Sequence, residues 1–194
     1  YSGGQHLPDI QTFKPVFLNG QLIAIAGILV HHLDVGGGAP GSYDAGASEI
    51  HQEGLRIPPL KIVEGGRRNQ AIIDMLLANS REPANVGGDF ASQLAALGTG
   101  AETLQRIGRR YGAARLAAAA RRIQDQSEAA MRAVIAASPD GQYSFADWVD
   151  DDGIDRDTQL KIRVQVTITG DQVSIDLDGS SPQATGPINC TLNM

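Results

Sequence analysis

The spacing of apolar and polar residues divides the chain into three stretches. Residues 12–18 and 21–30 are rich in β-branched, aromatic and aliphatic side chains, and they flank Asn19-Gly20. Two β-prone runs joined by Asn-Gly alone predict a hairpin, because both residues tolerate the positive φ of a type I′ turn. Glycine, serine, alanine and proline dominate residues 36–54, which predicts an irregular loop, and residues 57–63 look extended. The period then becomes helical. Residues 69–79 carry Ile72, Ile73, Leu76 and Leu77 on one face. Asp89 is placed to cap a second helix running towards Leu97, with Gly98-Thr99-Gly100 as an interruption before helix resumes over 101–111. An alanine-rich, arginine-studded helix is predicted over 113–137, closing at Ser138-Pro139-Asp140-Gly141. Strict alternation returns over 160–169, turns at Gly170-Asp171 and continues over 172–177, the mark of a half-buried antiparallel pair. The order implies an α+β fold: a β region with the candidate site (1–66), a helical block (67–138) and a second β region (139–194).

Composition narrows the function classes. A chain of 194 residues can bury a core without disulfides, and 42% apolar with 20% charged residues is ordinary for a globular protein. A net charge of −6 argues against a nucleic-acid surface. The longest apolar run, residues 22–30, is about half of a spanning helix, so no membrane partner is expected. The lone Cys190 cannot close an internal disulfide, which suits a reducing cytoplasm, and it is expected to be a buried, inert thiol. The opening Tyr1-Ser2-Gly3-Gly4 and the abrupt stop at Met194 read as the central section of a longer protein.

Candidate chemistry gathers at the ends of the predicted hairpin. Three of the four histidines lie in His6-Leu7-Pro8-Asp9 and His31-His32-Leu33-Asp34. Asp9 stands ten residues before Asn19 and His31 eleven after Gly20, so folding at the turn makes them neighbours across the ladder. Imidazole and carboxylate donors together suit zinc, manganese or iron. The alternative is a polar loop at His6 and Asp9 beside a buried strand end at His31. Adjacent strand residues point to opposite faces, so His31 and His32 cannot share one cage without a bulge. Asp34 can take the second N–H of a ligating histidine or cap the glycine-rich turn. Gly36, Gly37 and Gly38 could offer backbone N–H groups to a substrate or its phosphate, although no Walker lysine follows. His51 with Glu49 and Glu53 reads as a solvated acidic turn, and Asp150-Asp151-Asp152 as a charged loop without chemistry.

Several strings occur together in order: Tyr1-Ser2-Gly3-Gly4-Gln5-His6-Leu7-Pro8-Asp9, His31-His32-Leu33-Asp34-Val35-Gly36-Gly37, Gln52-Glu53-Gly54-Leu55-Arg56-Ile57-Pro58-Pro59, Asp147-Trp148 leading into the acidic run, and Gly179-Ser180-Ser181-Pro182-Gln183-Ala184-Thr185-Gly186-Pro187-Ile188-Asn189-Cys190-Thr191. The chain that carries them resembles the hydantoinase B/oxoprolinase family from end to end. The resemblance implies a divalent metal (zinc, manganese or iron) on His6, Asp9 and His31, with a further aspartate ligand upstream of Tyr1. It implies a partner, a hydantoinase A-type, actin-like ATPase subunit that uses ATP to phosphorylate a small cyclic amide, whose ring the metal-bearing subunit then opens. Relatives of the carboxylase type instead join an activated ketone to carbon dioxide, and a purely structural subunit is the third possibility. Proximity nominates His32, Asp34 and the Gly36–Gly38 loop to orient the substrate or its phosphate.

Overall fold

A computed structural model describes residues 6–191. The chain opens with an antiparallel hairpin of β1 (Asp9–Leu18) and β2 (Gln21–His31). Its turn residues have positive φ, 51° at Asn19 and 79° at Gly20, as the Asn-Gly pair predicts. One feature of this hairpin is absent from the sequence pattern. Phe17 pairs with Leu22 but Val16 pairs with Ala24, so Ile23 is an extra residue on β2. Ile23 and Ala24 both turn towards the helices, opposite buried Val16. The bulge absorbs the one-residue difference in arm length and brings Asp9 directly opposite His31.

Single turns at Pro40–Ser42 and Ile50–Gln52 interrupt the glycine-rich loop. The predicted extended stretch 57–63 forms only its last residue into sheet: β3 (Val63–Glu64) pairs with β4 (Arg67–Arg68) around Gly65-Gly66. Pro58 and Pro59 lack the N–H groups a ladder needs, which accounts for the rest remaining irregular. Helix α1 (Gln70–Ala78) lies within the predicted bounds.

Helix α2 (Pro83–Tyr111) departs from expectation twice. It begins before Asp89, with Pro83 in the first turn, and it runs without a break through Gly98-Thr99-Gly100. Each interior glycine costs about 1 kcal/mol relative to alanine. Against that, Val86, Phe90, Gln93, Leu97 and Ala101 form one buried stripe on the inner face of the hairpin. Burying a side chain such as Phe90 or Leu97 contributes about 2 kcal/mol each, so packing outweighs the glycines. Gly112, at φ 86°, ends α2 and leads directly into α3 (Ala113–Ala136).

The C-terminal sheet has three strands, β5 (Gly141–Val149), β6 (Leu160–Thr169) and β7 (Gln172–Asp176), in that order and antiparallel. The acidic run between β5 and β6 is more than a solvated loop. Asp152 is buried, and its carboxylate accepts N–H bonds from Ile154, Asp155 and Gly186. Those bonds hold its pKa below the ordinary aspartate value. Gly153 in turn lies so close to Ala45 that a Cβ would stand 1.9 Å from the Ala45 carbonyl oxygen. The second β region is thereby pinned against the loop that leads from the hairpin. The architecture is α+β, with hairpin, helical block and antiparallel sheet in the expected order. Among the described residues no helix is long and apolar enough to cross a membrane.

Candidate functional site

His6 sits on the turn preceding β1, where the Asp9 N–H donates to the His6 carbonyl at 3.0 Å. His31 ends β2 on the outward face, and the ladder places Asp9 opposite it on that same face. The imidazoles of His6 and His31 lie 5.2 Å apart between centroids. Tyr43 completes the group. Its ring is 4.9 Å from His6 and 5.8 Å from His31, and its hydroxyl is 3.2 Å from His31 Nε2. Nothing in the sequence pattern marked Tyr43 for this position, since it lies within the irregular loop.

The electrostatics of the pair are those of two bases crowded together. Burial pushes the His6 pKa down, the neighbouring His31 adds to that, and the carboxylates of Asp9 and Glu53 oppose it. His6 is thus kept neutral, with lone-pair character available on the ring. Its Nε2 is buried and has no hydrogen-bond partner among the described residues. An imidazole nitrogen without a protein partner is open to accept a hydrogen bond or to bind a cation, and His32 Nδ1 and Thr12 Oγ1 are unpartnered in the same way. Among the described residues, however, no three His, Cys, Asp or Glu side chains converge closely enough to hold a metal ion.

His32 has a different environment. It is 0% exposed, packs 5.9 Å from the Phe90 ring, and places Nε2 3.1 Å from Gln93 Oε1. Gln93, itself buried, donates from its amide nitrogen to the carbonyls of Ile10 at 2.8 Å and Ile28 at 3.4 Å. Since that nitrogen is occupied as a donor, Gln93 Oε1 must accept, and His32 carries its proton on Nε2. Gln93 therefore ties both strands to α2, and His32, bonded to its Oε1, faces away from the ring cluster. Adjacent strand residues point to opposite faces here, as the strand geometry requires.

Asp34 bonds backbone and arginine rather than a histidine. It is 1% exposed. Oδ1 accepts from the N–H groups of Gly36 (2.9 Å) and Arg81 (3.0 Å), and Oδ2 from Gly41 N–H (2.9 Å) and Arg81 Nη1 (3.1 Å). Burial works against its charge, but these bonds outweigh it and hold the carboxyl below the ordinary aspartate value. The same Arg81 guanidinium donates to the carbonyls of Ala39 (3.1 Å) and Gly37 (2.7 Å). Buried Ser42 locks the loop from inside: its hydroxyl accepts from Val35 N–H at 2.8 Å and donates to the Gly36 carbonyl at 2.7 Å. The loop then delivers Tyr43 to the histidines.

This clamp changes the reading of the glycines. Gly36 N–H is taken by Asp34 and Gly38 N–H by the Gln52 carbonyl at 2.7 Å, so two of the three proposed anion donors bond within the protein. At Gly37, with φ 89°, a Cβ would come within 2.5 Å of the Gln52 carbonyl oxygen. These glycines allow two loop segments to touch. His51 and Glu49 are exposed, in keeping with a solvated turn. Cys190, expected to be buried, is exposed on the irregular segment after β7.

Sequence reasoning missed Tyr43, Arg81, Ser42 and Gln93. Arg81 and Gln93 are identified only by long-range contacts, 47 residues from Asp34 and 61 from His32, and Ser42 and Tyr43 only by how the irregular loop folds back on itself.

The fold that carries this geometry has relatives. A putative D-/L-hydantoinase B-type subunit from a Pseudomonas species is 36% identical over 199 residues, covering 99% of this chain and 33% of its own. The beta subunit of the caprolactamase of Pseudomonas jessenii is 36% identical over 186 residues, covering 96% of this chain and 32% of its own. The crystal structure of the ATP-dependent caprolactamase from the same organism superposes with a TM-score of 0.84 at 34% identity, over 94% of this chain and 31% of that one. Acetone carboxylase shares the fold, with a TM-score of 0.83 at 21% identity, over 92% of this chain and 25% of that one. The chain spans about a third of the length of the curated relatives named here. The family model for hydantoinase B/oxoprolinase matches residues 1–194, and the chain belongs to that family.

Proposed function

We propose that this chain contributes the metal-bearing site of an ATP-dependent cyclic amidohydrolase, acting on a substrate that a partner ATPase subunit has phosphorylated. The observation that carries the reading is the His6–His31 pair with its buried, unpartnered His6 Nε2. Two imidazoles with Asp9 opposite one of them suit a divalent cation by donor chemistry. His6, Asp9 and His31 are the proposed ligands; because no three such side chains already converge among the described residues, they would have to draw together around the ion, and any further ligand would come from outside this group. Such a cation, zinc, manganese or iron, would supply Lewis-acid character at the mouth of the pair.

The chain's own residues supply the setting. Desolvation and the proximity of two imidazoles keep His6 neutral. The hairpin fixes His31 against Asp9. The clamp of Asp34, Arg81 and Ser42 fixes the loop that walls one side. His32 and Asp34, proposed for substrate orientation, would act by holding these elements in place. The dependence on ATP and a partner subunit draws support from the relatives, one described as an ATP-dependent caprolactamase and others as subunits. Phosphorylation makes chemical sense because a plain amide is a poor electrophile.

The test is metal content and turnover of the chain assembled with its ATPase partner. The wild type should bind one divalent ion per chain and open hydantoin, 5-oxoproline or caprolactam with ATP. His6→Ala and His31→Ala should lose both metal and turnover. Equal metal in all three proteins, or none in any, defeats the reading. The carboxylase alternative is favoured by the similarity to the acetophenone carboxylase delta subunit of Aromatoleum aromaticum, 26% identical over 188 residues. ATP-dependent fixation of labelled bicarbonate into acetone or acetophenone would establish it instead.

A further inference from the structure

Tyr43 belongs to no motif, yet the loop that carries it is among the most constrained in the molecule. Asp34, Arg81 and Ser42 clamp residues 34–42 from both sides, and Ser42 is held at φ 59°, a left-handed conformation rare for serine. The clamp ends at a side chain that is 67% exposed, and a large aromatic ring so exposed gains little from burial. Its contacts are the two imidazoles, and its hydroxyl meets one nitrogen, His31 Nε2 at 3.2 Å. A phenol is a far better proton donor than acceptor, and a neutral imidazole has one unprotonated nitrogen to receive it.

We propose that Tyr43 is a positioning residue that holds His31 in the Nδ1–H tautomer, with the Nε2 lone pair facing the mouth of the site. The phenol acts as a stand-in for a cation: it keeps Nε2 unprotonated and aimed, then yields that position when a ligand for Nε2 arrives. The neighbouring histidine is the natural contrast. Gln93 fixes His32 in the opposite, Nε2–H form inside the core. Two adjacent histidines thus carry opposite tautomers, each set by one partner. This inference rests on the reading of His31 as a cation ligand, but its first measurement does not require a metal.

Nitrogen-15 NMR of the ring nitrogens in the intact, metal-free chain distinguishes the tautomers directly. In the wild type His31 should show Nδ1–H and His32 Nε2–H. In Tyr43→Phe, which keeps the ring stack, His31 should move to the Nε2–H form that dominates in a free histidine side chain, while His32 stays unchanged. The unchanged His32 signature shows in the same spectrum that the variant is folded. His31 already in the Nε2–H form in the wild type, or the same form in both proteins, overturns the proposal. Zinc alone then separates the two claims. Zinc that binds the wild type should displace the phenol and shift the His31 Nε2 resonance. If zinc leaves every histidine resonance unmoved, the cation reading fails and the lone pair has no ligand to await, which defeats the stand-in role while the tautomer assignment keeps its own result.

Discussion

Replacing Asp34 with asparagine isolates the clamp, because it keeps shape and removes charge. Oδ1 of asparagine can retain the N–H bonds from Gly36 and Arg81. The amide nitrogen then takes the place of Oδ2, where it confronts two donors, Gly41 N–H and Arg81 Nη1. Flipping the amide exchanges which pair is lost but not the number. A buried hydrogen bond to a charged group is worth about 1.5–3 kcal/mol, so the Gly41 contact contributes about 2 kcal/mol. The Arg81 side chain is 42% exposed, and solvent screening reduces its share to about 1 kcal/mol. The expected loss is about 3 kcal/mol, a large fraction of the 5–15 kcal/mol typical of a domain. Urea denaturation of Asp34→Asn should show this as a lower midpoint at unchanged slope. Arg81→Ala should lose about 1 kcal/mol, and the double variant should fall short of the sum because the two residues share a bond. A loss below about 1 kcal/mol in Asp34→Asn would refute the idea that this carboxylate organises the loop.

Because Asp34 has a depressed folded-state pKa, its stabilisation is complete above the unfolded value near pH 4 and is lost as pH falls through the lower folded value; the wild-type advantage over Asp34→Asn should therefore shrink below about pH 4 in acid denaturation. Gly98→Ala, where a Cβ meets open space, should stabilise α2 by about 0.5–1 kcal/mol, whereas Gly153→Ala, at φ 86° and 1.9 Å from the Ala45 carbonyl, should destabilise by more than about 2 kcal/mol; thermal melts read both. Gln93→Leu should cost about 1–3 kcal/mol by leaving the buried His32 Nε2–H unpaired and removing the amide that bonds the Ile10 carbonyl, and hydrogen exchange should localise the loosening to the hairpin.

What the sequence disclosed was local. Asn19-Gly20 and the alternation around it specified the hairpin, and asparagines at 69 and 79 bracketed α1. The strands over 160–169 and 172–177 were equally plain. The break expected at Gly98-Thr99-Gly100 did not occur, because a glycine signal worth about 1 kcal/mol is visible locally while the opposing burial of Phe90 and Leu97 depends on a hairpin far away in sequence. The same limit hid Arg81 and Gln93: a polar residue acquires its meaning from a buried partner, and no periodicity announces one. The neighbourhood of His6, Asp9 and His31 was legible because a hairpin converts sequence distance into contact by simple counting. The orientation of Asp34, and the occupation of the loop N–H groups by protein acceptors, required coordinates.

That counting depends on Ile23. Two arms of unequal length meet end to end only because two β2 residues oppose Val16 alone. The bulge therefore sets a parity: with it, His31 faces outward beside Asp9 and His32 enters the core; with regular pairing throughout, Asp9 would oppose Val30 and the two imidazoles would exchange environments. Ile23 stands near the turn, at the other end of β2 from the histidines, yet it decides which of two chemically identical neighbours is available for chemistry. Chain length between turn and histidine is then under a stricter constraint than residue identity. A single insertion in either arm, unless a second irregularity cancels it, would assign the core to the wrong ring.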